Sequence, residues 1–124
     1  MLRIGFLPSD FNPMVLILGE SEDLFRLAAT LRHFAHHPGE VPLGASRISL
    51  TASAGPLGVH AAAPGTFVWR LDAAHAQMFA DRIDALAQPS RLAGSEMLEC
   101  TTAEAIPVKV SRGEYTDEFL LQAG

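Results

Sequence analysis

The chain has a single cysteine, Cys100, so it can form no internal disulfide. Packing alone must hold the fold, as in proteins of a reducing compartment, and a cytoplasmic location is expected. Long hydrophobic runs are missing as well. The longest uninterrupted one, Met14 to Leu18, is far too short to cross a bilayer as a helix. The opening segment from Met1 to Pro8 lacks the charged region and long apolar stretch of a signal peptide. No membrane association is expected. Basic residues are few: nine Lys and Arg stand against fourteen Asp and Glu, for a net charge of −5 at pH 7. No basic stripe forms, and a field of this sign repels phosphate backbones, so nucleic acid is excluded as an expected partner. The same field favours a basic protein as partner.

The 124 residues suit one domain spanning the whole chain, 1–124. Hydrophobic residues make up 48% of it and the mean hydropathy is +0.19, high for a domain with so much surface per volume. Burial of a further apolar face in a homodimer is therefore expected.

The elements follow from periodicity. Leu2, Ile4 and Phe6 alternate with Arg3 and Gly5, the pattern of a half-buried strand, and Met14 to Leu18 reads as a strand covered on both faces. Ser21 is a helix cap by type, with Glu22 and Asp23 favouring the positive end of the dipole. Leu24, Leu27, Ala28, Leu31 and Ala35 then hold the helical spacing as far as Pro38-Gly39, and Gly39 to Ser46 reads as a loop. Ile48 to Ala52 and Thr66 to Leu71 alternate as strands, with a short one at Val59 to Ala61 between them. Asp72 caps a second helix, whose apolar positions Ala76, Phe79, Ala80, Ile83, Leu86 and Ala87 continue until Pro89. A final hairpin pairs Leu98 with Val108, Glu96 with Val110 and Cys100 with Ile106, because a slip by one would set Glu99 against Val108. Thr116 then caps a short helix over Asp117 to Leu121. The order β-β-α-β-(β)-β-α-β-β predicts an α+β fold, a two-layer sandwich in which a mostly antiparallel or mixed sheet of five to seven strands carries two helices on one face. No internal repeat is expected.

Candidates for chemistry are few. His33 and His37 share a helix face, as a zinc pair would, but no third ligand is identifiable, and the dipole and the free carbonyls are the better explanation of histidines in a last helical turn. They are metal candidates only, and no metal or other cofactor is expected. Glu96 faces the apolar side of the hairpin and, with His60, is the candidate for a pocket between sheet and helices. Cys100 on the same side behaves as an inert hydrophobe. No Gly-x-Ser-x-Gly elbow or phosphate loop is present. The most polar stretch, Ser111 to Glu118, follows a strand directly, where rigid sheets present functional loops, so Arg112, Glu114, Tyr115 and Asp117 are the candidate binding surface.

The segments Leu98-Glu-Cys100 and Ile106-Pro-Val-Lys-Val-Ser-Arg-Gly-Glu-Tyr115 resemble the C-terminal motif of small uncharacterised bacterial α+β proteins, some of them similar in size and layout to immunity proteins of toxin systems. The resemblance implies a non-enzymatic protein-binding module, immunity-like, and assigns no catalytic residue. The alternative from the residues themselves is a small enzyme or ligand-binding protein with a pocket between sheet and helices, using His60, Glu96, Glu114 and Tyr115.

Overall fold

A computed structural model describes residues 2–7, 14–43, 47–52, 56–63, 66–88, 94–98 and 105–112. Their elements run β1 (Arg3–Leu7), β2 (Met14–Leu18), α1 (Ser21–His36), β3 (Val41–Pro42), β4 (Ile48–Thr51), β5 (Gly58–Ala63), β6 (Thr66–Arg70), α2 (Ala73–Ala87), β7 (Gly94–Leu98) and β8 (Val108–Arg112). The class is α+β, as expected, but the strands form two four-stranded mixed sheets rather than one sheet of five to seven. The first sheet has the order β1-β2-β8-β7 and the second β3-β4-β6-β5. In each, a central parallel pair, β2 with β8 or β4 with β6, is flanked by antiparallel strands. The extra strand, β3, lies where Gly and Pro suggested only a loop: Val41 pairs with Leu50 and Pro42 with Ser49, and so short an edge strand tolerates the missing proline donor.

The two orders are one arrangement used twice. A ββαββ unit ending near Ala52 is followed by a second beginning at Gly58, and exchanging the units converts one sheet order into the other. The exchange preserves register. The pair of Val15 with Val108 matches that of Phe67 with Ile48. Val15 N donates to Pro107 O at 3.0 Å where Phe67 N donates to Arg47 O at 2.9 Å, and Gly19 N to Ser111 O at 3.3 Å where Leu71 N reaches Thr51 O at 3.2 Å. Through β2, α1, β6 and α2 the match is a constant shift of 52 positions: Leu24, Leu27, Ala28, Leu31 and Phe34 are buried in α1, and Ala76, Phe79, Ala80, Ile83 and Leu86 in α2. Only Ala28 with Ala80 and Ala35 with Ala87 are identical across the two helices, so the duplication survives in burial pattern and not in residue identity.

One core serves both halves. Its buried members come from both sheets and both helices, with Trp69, Phe34 and Phe79 the bulkiest. Arg32 of α1 pairs with Asp81 and Asp84 of α2, while His36 meets Gln77, so the helices run antiparallel against each other. In β2 both faces are covered: Val15 and Ile17 enter the core, and Leu16 and Leu18, on the opposite face, are 1% and 2% exposed. A bond of 2.9 Å from Ile106 N to Val59 O ties β5 of the second sheet to the chain entering β8 of the first.

The helix starts follow their charges. Asp72 caps α2, its Oδ1 accepting from His75 N at 2.7 Å. The cap of α1 is Glu20 and not Ser21, because Glu20 is the last extended residue and its N–H donates to the Asp23 carboxylate at 3.0 Å. In the last hairpin Glu96 faces Val110 and Leu98 faces Val108, the register the apolar pattern required. Cys100 and the segment from Asp117 to Leu121 lie outside the described residues. No helix among the described residues is long and apolar enough to cross a membrane.

Candidate functional site

The duplicated fold makes each residue's counterpart a control for it. At the end of β8 the chain places Arg112, whose counterpart at the end of β4 is Ala52. The sequence suggested an exposed recognition residue, yet Arg112 is 9% exposed. Its Nη1 donates to Ser21 Oγ at 2.7 Å and to Gln88 O at 3.1 Å, joining the N-terminus of α1 to the C-terminus of α2. A cation at a helix C-terminus is favoured by the dipole and by carbonyls that lack a partner within the helix. Arg112 is therefore a structural plug: β8 runs through Ser111 and Arg112, two residues into the segment expected to be a loop.

The counterpart place is open. With Ala52 instead of arginine and Ala73 instead of Ser21, a slot of about 250 Å3 lies between the C-terminal turn of α1, the N-terminus of α2 and the ends of β4 and β6. Phe34, Ala35, Pro38, Leu57 and Leu71 supply apolar wall, and Arg70 and Asp72 the charges. Asp72 Oδ1 takes both the His75 N–H and, at 2.8 Å, His75 Nδ1, which leaves Oδ2 unengaged among the described residues. The bond from the His75 backbone N–H, with the His75 ring as second cause, holds the Asp72 carboxyl below its ordinary value, so it is an anion at neutral pH. Arg70 alternates with Trp69 and so leaves the sheet on the face opposite the core; its Nε is buried without a partner among the described residues. A smaller cleft of about 190 Å3 lies between Leu2, Asp23, Arg26 and Leu43, on the other side of α1.

The residues expected to share a pocket are not brought together. His60 sits on β5 in the second sheet, half-buried, with Nε2 3.1 Å from Leu57 O, and Glu96 sits half-buried on β7 in the first. Neither lines the slot or the smaller cleft. His33 and His37 stack with ring centroids 4.7 Å apart on an exposed turn, and no group of three potential metal ligands occurs among the described residues. Glu114, Tyr115 and Asp117 lie outside the described residues. Sequence reasoning offered a pocket between sheet and helices but named none of the slot's lining residues; their one signal was the small Ala52 and Ala73, legible only once the repeat is known. The chain thus defines a class by its architecture, an α+β protein of two interleaved ββαββ units with one slot plugged and one open. No family model, no curated protein and no solved structure matches it.

Proposed function

We propose that the protein is a non-enzymatic binding module for a basic protein partner, and that the open slot is its recognition site. The observation that supports this is the asymmetry of the two ends: the fold fills one of two equivalent places with its own side chain and leaves the other, beside an ionised Asp72, for a group from elsewhere. The slot is smaller than the roughly 300–1,000 Å3 of pockets that enclose a whole small molecule, and suits a single side chain presented by a larger surface. A net charge of −5 steers a basic partner toward it. The resemblance of the C-terminal segment to immunity-like proteins points the same way. Capture from native lysate, followed by hydrogen exchange on the purified complex, tests the proposal. A stoichiometric basic partner that slows exchange at residues 34–38 and 70–73 supports it; self-association with no partner, or protection confined to other surfaces, refutes it.

A further inference from the structure

Resting on that reading, we infer that the group received by the open slot is an arginine side chain of the partner, seated as Arg112 is seated in the other half. Arg112 shows what the place accepts: a planar cation with N–H donors, bonded to the C-terminal carbonyl end of one helix beside the N-terminus of the next. The open slot keeps the determinants of that arrangement. It lies at the C-terminal turn of α1, where the dipole favours a cation, and the N-terminus of α2, which alone would repel one, already carries the Asp72 carboxylate. Asp72 Oδ2 offers an acceptor in place of the Ser21 hydroxyl, whose counterpart here is Ala73. Phe34 and Pro38 give the flat apolar surface on which a guanidinium and its methylene stem pack, which a lysine ammonium exploits less well. Ala52 leaves the room that the side chain itself takes up in the other half. The opposing feature is Arg70, which lines the same slot and repels a second guanidinium, a repulsion that the Asp72 carboxylate offsets.

The test uses the full chain and three probes, N-acetyl-arginine amide, its citrulline analogue and N-acetyl-glutamate amide, titrated by NMR. The arginine probe is expected to shift the resonances of Phe34, Ala52, Leu57 and Ala73 and to bind about tenfold more tightly than citrulline, the factor a charge-assisted hydrogen bond supplies. Asp72→Asn keeps a helix cap but removes the charge, and is expected to erase most of that preference. Ala52→Arg plugs the slot from within and is expected to abolish probe binding while leaving thermal stability equal to or above that of the wild type. Equal binding of arginine and citrulline, preference for glutamate, or undiminished arginine binding by the folded Ala52→Arg protein would each overturn the inference. The two proposals fail separately: a partner that protects residues 34–38 and 70–73 while the slot shows no preference for arginine over citrulline sinks the arginine assignment alone, and arginine binding without any protein partner sinks the module reading alone.

Discussion

Replacing Arg112 with alanine gives the plugged end the alanine that Ala52 supplies at the open one and so measures what the plug contributes. Among its interactions the side chain donates at 2.7 Å to Ser21 Oγ and at 3.1 Å to Gln88 O, and the residue is 9% exposed. Hydrogen bonds from a charged donor contribute roughly 1.5–3 kcal/mol each when their partners stay dry. Water entering the vacated slot re-satisfies the hydroxyl and the carbonyl in part, which lowers the sum to about 2–4 kcal/mol. In a domain of this length that corresponds to a melting temperature lower by roughly 6–20 °C. Urea unfolding followed by circular dichroism reads the free energy directly, with an unchanged m-value showing that the unfolded state is unaffected. Arg112→Lys keeps the charge without the planar fork and is expected to lose about half as much. Ethylguanidinium at four times its dissociation constant should restore about 1 kcal/mol to the alanine variant and nothing comparable to the wild type. A loss below about 0.5 kcal/mol, or equal effects of ethylguanidinium on both proteins, would refute the account of Arg112 as a plug.

Leu31 and Ile83 are counterparts, both fully buried, so truncation of either to alanine is expected to cost about 2–5 kcal/mol, the two values agreeing within about 1 kcal/mol in the same urea assay. Gly58 opens β5 with φ of 103°, a backbone region that L side chains avoid, so Gly58→Ala is expected to cost about 1–2 kcal/mol by thermal unfolding. The Asp72 carboxyl titrates below its unfolded value of 3.8, so the stability it lends is complete above that value and is lost as pH falls through the folded value. Melting temperature plotted against pH should therefore fall less steeply below about pH 4 in Asp72→Asn than in the wild type. Arg32 joins Asp81 and Asp84 across the helix pair at a half-exposed position, so Arg32→Ala is expected to cost at most about 1 kcal/mol, less in high salt.

The sequence revealed the elements better than their assembly. Both helices, most of the strands and the register of the last hairpin follow from period and caps, because each is decided by neighbours a few residues away, whereas β5 runs from Gly58 to Ala63, beyond the short strand expected at Val59 to Ala61. The division into two sheets was not legible: it depends on β2 choosing β8 and β4 choosing β6, parallel partnerships that leave no local mark. The duplication hid for a related reason, since Leu27 against Phe79 or Ile17 against Trp69 conserves burial while changing shape. For the site, the polar segment from Ser111 drew attention by composition, and its first charged residue, Arg112, proved to be the buried end of β8. The open slot is made by two alanines, which announce nothing until the arginine and serine that oppose them in the other half are seen.

The interleaving of the two units also orders the folding of the chain. The second sheet draws on residues 41–70, a contiguous stretch, whereas the first joins residues 3–18 to residues 94–112. As the chain leaves a ribosome, β3 to β6 can meet while synthesis continues, but β2 has no parallel partner until Val108 has emerged. Its four consecutive apolar residues, Val15 to Leu18, spend that interval with one pairing edge open, so the step most open to misassociation is the arrival of β8 and not the collapse that precedes it.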